Sequence, residues 1–169
     1  MGGHPAEPIN GICVSDAFAR GFPPPGRAWT LFPGTVHPKE AEAPLAALRV
    51  HPAEISGDLL QMFVPRAADI DQAKDRRLLT LAKLQAELYS VHAAATWALQ
   101  NHTWDFAAVY YPSIDHFSHA FMHYHPPRQE HVSAEDFELY RDVVNSAYRF
   151  HDLALGVLAG LAGPEACLA

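Results

Sequence analysis

Trp104-Asp105-Phe106-Ala107-Ala108-Val109-Tyr110-Tyr111-Pro112 is the stretch on which the reading of the fold turns. Residues 106–111 are apolar or aromatic without alternation, and Pro112 closes the run. A strand with one wet face alternates; an unbroken apolar run after a helix fits a strand buried on both faces of a parallel sheet. The helix before it is the clearest period in the chain: over 78–101, Leu81, Leu84, Leu88, Val91, Ala95 and Ala98 recur every three or four residues. Asp71 and Asp75 precede that stripe, where the positive end of the helix dipole favours carboxylates. Thr103-Trp104-Asp105 reads as a turn between helix and strand. Beyond a histidine-rich loop, Ser133 and Asp136 have capping-box spacing and open a second long helix. Its stripe is Phe137, Tyr140, Val144, Ala147, His151, Leu155 and Leu158, and Gly163-Pro164 ends it. Helix, strand, loop and helix in this order predict an α/β fold, part of a sheet with crossover helices, over residues 69–164.

Residues 1–68 read differently. Pro5, Pro8, Pro23-Pro24-Pro25-Gly26 and Pro33-Gly34 leave little room for long regular elements, so an irregular, insert-like third is expected. Gly11-Ile12-Cys13-Val14 is a candidate strand, and 38–50 a short helix with Pro38 in its first turn and Glu40 and Glu42 near its positive end. His51-Pro52 stops that helix. With 169 residues, one partial domain spanning 1–169 is the expectation.

Twelve Lys and Arg against 19 Asp and Glu leave a net charge of −7, and 49% of residues are hydrophobic. That apolar fraction argues for a globular chain. The negative charge argues against a nucleic-acid polymer as partner, since duplex binding draws on a positive field. No apolar run approaches the roughly 20 residues of a membrane span, and no basic-then-apolar leader opens the chain, so a cytoplasmic protein is expected. Cys13 and Cys167 lie far apart in sequence and read as unpaired thiols.

The chain holds 11 histidines, and five of them fall between His116 and His131. Asp115 and His119 stand four residues apart just past the expected strand end, where loops of α/β sheets gather ligands. If the chain turns helically after Ile114, the two side chains share one face. A hard oxygen with a borderline nitrogen suits zinc, manganese or iron. A catalytic zinc site takes three protein ligands; His116, His123, His125 or residues elsewhere would have to supply the third. His116, His123 and His125 are otherwise candidates for supporting or substrate-facing groups, and Arg128 for a phosphate contact. His151, on an apolar stripe, reads as a hydrogen-bonded core histidine. Glu135, Asp136 and Glu138 read as a solvated first turn.

These residues resemble a known family. The stretch 104–111, then Ile114-Asp115-His116-Phe117-Ser118-His119, then His125-Pro126-Pro127, is similar to the alkaline phosphatase superfamily, in its type I phosphodiesterase/nucleotide pyrophosphatase-like branch. Tyr148-Arg149-Phe150-His151-Asp152, Ala162-Gly163-Pro164 and, more loosely, Pro5-Ala6-Glu7-Pro8-Ile9-Asn10-Gly11 with Val14-Ser15-Asp16 extend the likeness. The resemblance implies an alkaline-phosphatase-like sheet and a dinuclear, zinc-type hydrolase of small phosphorylated substrates. It assigns Asp115 and His119 to one metal, together with a later histidine. The nucleophile and the pair that binds the second metal would lie outside this chain, which is then expected to be an internal fragment, inactive alone. The alternative is a non-catalytic metal- or partner-binding module built on the histidines of 116–131.

Overall fold

A computed structural model describes residues 3–168 and corrects the α/β expectation: half of the chain is helix and 2% is strand. The strands described are β1 (Cys13–Val14) and β2 (Val36–His37), antiparallel, with Cys13 opposite His37 and Val14 opposite Val36. Strand β1 lies in the stretch expected to be a strand. No alkaline-phosphatase-like sheet exists among the described residues. Residues 106–111 carry no regular structure, and Phe106 is 83% and Tyr110 60% exposed. The physical reason is that a strand borrows its hydrogen bonds from neighbouring strands, whereas a helix closes its own. With no strand alongside to bond it, the run takes no regular structure: residues 106–110 are exposed, and Tyr111 is half-buried with its ring 5.6 Å from the His151 ring.

The described residues form two compact units. One takes the chain up to His51, Ala86–Tyr110 and the residues from Leu158 on; the other takes Pro52–Gln85 and Tyr111–Val157. In the first unit, Phe18, Ala19, Val36, Ala41, Leu45 and Ala94 form the core, with Leu31, Leu48 and Trp97 packed against it. Here the expected 38–50 helix is a 3₁₀ turn at Lys39–Ala41 followed by α1 (Glu42–Ala46). Helix α3 (Arg77–Asn101) contributes its length from Ala86 onward to this unit. Within it Ser90 accepts a hydrogen bond from the Val50 amide at 2.8 Å and donates to the Ala86 carbonyl at 2.7 Å.

The second unit contains α2 (Gly57–Gln61), α4 (Ser113–Phe121), α5 (Ala134–Tyr140) and α6 (Val143–Ala162) up to Val157. Helix α2 is an element the proline-rich reading did not foresee; Ser56 caps it, its hydroxyl accepting from the Leu59 amide at 3.3 Å. Ser133 caps α5 as expected, accepting from the Asp136 amide at 3.0 Å. The second long helix is nonetheless two, broken at Arg141-Asp142. The buried stripe still runs on across the break: Tyr140, Val144, Ala147 and Ala154 are buried, as is Val143, while Leu155 faces solvent. Gly163, at φ +82°, ends α6 in the left-handed conformation that glycine adopts without strain. Aromatic rings fill this unit: Phe63 stacks on Phe117 at 5.3 Å, and Tyr140 lies 5.8 Å from Phe121 and 5.3 Å from Tyr124.

Candidate metal centre

Helix α4 owes its orientation to spacing. Ser113, Phe117 and Phe121, four residues apart, are buried and form its inner face. Asp115 and His119 are offset from them by two residues, roughly 200° around the axis, and project outward. Asp115 stands in the first turn and His119 in the last, where the helix dipole favours an anion and an imidazole respectively. The side chains are 69% and 79% exposed, and Asp115 Oδ1 lies 3.4 Å from His119 Nε2. Left alone, such an exposed i,i+4 pair contributes little to stability. Its geometry is also that of a chelate. Zinc bonds to oxygen and nitrogen of about 2.0–2.2 Å at tetrahedral angles put neighbouring donors about 3.3–3.6 Å apart.

Among the described residues, no group of three His, Cys, Asp or Glu side chains is placed to hold an ion. Asp115 and His119 therefore stand as a pair of donors only. The other candidates lie elsewhere. His116 is half-buried on α4 and its amide bonds to the Pro112 carbonyl at 3.1 Å. His123 sits in the 3₁₀ turn Met122–Tyr124, its ring 3.8 Å from the Tyr124 ring. Burial lowers the His123 pKa first, and the neighbouring His131 and Arg77 add to it. His125 directs Nδ1 to the Pro126 carbonyl at 2.8 Å and Nε2 to Asn145 Oδ1 at 3.3 Å. Arg128, the candidate phosphate contact, donates from Nη1 to the Val132 carbonyl at 2.6 Å and closes its own turn.

His151 is a hydrogen-bonded, half-buried histidine. Nδ1 donates to the Ala147 carbonyl at 2.7 Å, which leaves Nε2 to accept from the Ser113 hydroxyl at 2.8 Å. A serine hydroxyl on an imidazole nitrogen has the form of a nucleophile and its base. Ser113 is 1% exposed, however, so no substrate approaches it and the pair ties α4 to α6.

The most connected polar group was not foreseen from sequence. Arg77 makes a two-pronged bond to Asp75 (Nε to Oδ1 2.8 Å, Nη2 to Oδ2 2.7 Å) and reaches Asp136 Oδ1 at 2.5 Å and the Tyr124 hydroxyl at 2.8 Å. The guanidinium also lies over the Tyr140 ring, 4.4 Å from its centroid, and Tyr140 donates to Asp75 Oδ2 at 2.7 Å. Asp136 thus belongs to this network rather than to a solvated turn. Burial alone would raise the Asp75 pKa; the bonds from Arg77 and Tyr140 outweigh it and hold it at about 2. The Arg77 bond lowers Asp136 as well. Burial, then the bond to Asp75, pushes Tyr140 up. Both oxygens of Asp75, and Oδ1 of Asp136, are matched to donors, which marks a structural clamp.

No family model matches the chain, and no curated protein or solved structure matches it either. No helix among the described residues is long and apolar enough to cross a membrane.

Proposed function

We propose that α4 contributes Asp115 and His119 as two adjacent ligands of a divalent cation, zinc by choice of donors, in a metal-dependent phosphoester hydrolase. The observation that supports this most is the 3.4 Å spacing of Oδ1 and Nε2 on an open helix face. The motif residues around the pair supply the reaction class, through their resemblance to the phosphodiesterase branch named above. When bound, the ion polarises a phosphoryl oxygen of a small phosphorylated substrate. Asp115 offsets part of the ion's charge, and His119 ligates as neutral imidazole, so affinity falls on acidification. The remaining ligands, any second ion and the nucleophile come from residues other than these two. Two unpaired cysteines suit a reducing compartment, the cytoplasm.

Titration calorimetry with zinc tests the assignment. The wild-type chain binds one ion weakly; Asp115→Asn and His119→Gln each abolish that heat, and His123→Gln retains it. Both ligands are exposed and unpacked, so neither substitution disturbs the fold. Zinc binding that survives both changes, or that disappears only with His123→Gln, overturns the proposal.

A further inference from the structure

Among the described residues, Arg49, Arg77 and Arg141 are the half-buried arginines. Arg77 meets Asp75 and Asp136, and Arg141 meets Glu138 at 3.0 Å. Arg49, just past α1 in the first unit, meets no carboxylate among the described residues. Its partners are neutral: Nε donates to the Ala46 carbonyl at 3.5 Å, Nη2 donates to the Trp29 carbonyl, and Cζ stands 4.1 Å from the centre of the Trp29 ring. A cation drawn out of water is normally met by an anion, because carbonyls and a ring face replace its hydration only in part. Burial accordingly lowers the Arg49 pKa.

What is left over has a definite shape. A guanidinium carries N–H donors along the edges of a flat fork. Nε and one Nη2 hydrogen are spent on the Ala46 and Trp29 carbonyls; the second Nη2 hydrogen and those of Nη1 have no protein acceptor among the described residues. Together they form an edge of parallel donors, the kind that takes both oxygens of a carboxylate or phosphate. The fork is held before any ligand arrives. Its platform, the Trp29 indole, is fixed by Phe22 at 5.0 Å, by His51 edge-on at 6.1 Å and by its own Nε1 donating to the Arg20 carbonyl at 3.1 Å. His51 is tied down in turn through Nε2 to the Pro23 carbonyl at 2.8 Å. A preset donor pair loses less freedom on binding than a solvated side chain.

We propose that the Nη1–Nη2 edge of Arg49, backed by Trp29, is an oxyanion site that grips two oxygens of one phosphate or carboxylate group. A single guanidinium makes a weak site, so binding saturates in the roughly millimolar range. It draws on neither Asp115 nor His119 and stands or falls without them.

The indole N–H of Trp29 reports on the site in the wild type and in variants alike. The full ¹⁵N-labelled chain is titrated with inorganic phosphate, and separately with acetate, at an ionic strength held constant with chloride and with a chelator present. The Trp29 indole and Arg49 Nε signals are expected to move saturably while the indoles of Trp97 and Trp104 stay in place; the anion that saturates first tells a phosphate ligand from a carboxylate one. Arg49→Lys keeps the charge but loses the fork, and weakens binding at least about tenfold. Arg27→Gln, at an exposed arginine close to Trp29 in the chain, leaves binding unchanged. The wild-type titration decides on its own whatever lysine does to the fold. No saturable movement with either anion, equal movement at Trp97 or Trp104, undiminished binding in a folded Arg49→Lys, or an equal loss in Arg27→Gln overturns the proposal.

Discussion

Arg77 shows how a single side chain comes to organise its surroundings. Its planar fork meets Asp75 two-pronged, and its outer edge reaches Asp136 and Tyr124. Asp75 is the more enclosed carboxylate, its side chain 16% exposed. Asp75→Asn keeps an acceptor but removes the charge that Arg77 and Tyr140 were placed to meet. It is expected to cost about 1–3 kcal/mol, read as a lower urea midpoint. The same bonds set a pH dependence. The folded pKa of Asp75, about 2, lies below the roughly 3.9 of an unfolded chain, so its contribution is complete above about pH 4. It is lost as the pH falls from there toward 2. Asp75→Asn should flatten the melting-temperature profile of the wild type in that window; an unchanged profile would show that the clamp carries no such energy. None of this was legible in the sequence. Tyr124 and Asp136 lie 47 and 59 positions from Arg77, and no local pattern announces a pairing at that distance.

At the scale of elements, local chemistry was readable and partnership was not. Helix α3 follows the leucine period because a helix bonds to itself and needs from its neighbours only a surface for Leu81 and Leu88. The cap at Ser133 was equally legible, since it rests on residues three apart. Ser133→Ala is expected to cost about 1 kcal/mol in thermal stability, and Ser133→Asp to restore it. A null effect of the alanine would mean that α5 is held by packing alone. The run 106–111 was misread for the converse reason: its composition suits a strand, but a strand exists only beside another. The Arg141-Asp142 break was invisible because the apolar stripe continues across it. Asp115 and His119 stand on one face because the chain does turn helically there, with Phe117 and Phe121 anchoring the opposite side.

At the scale of the whole molecule, a chain of net charge −7 exposes apolar residues on the segment after α3 and along the later turns of α6, and others singly, such as Ile9, Phe32 and Met62. Its distinguishing chemistry is the open Asp115–His119 pair, whose metal-binding role is the central claim. The direct measurement is a zinc titration followed by side-chain nitrogen resonances of ¹⁵N-histidine-labelled protein. The account predicts that Nε2 of His119 shifts first and alone, and that Asp115→Asn removes the shift. Earlier movement at His116, His123, His125 or His131, or a His119 response indifferent to Asp115→Asn, would contradict it.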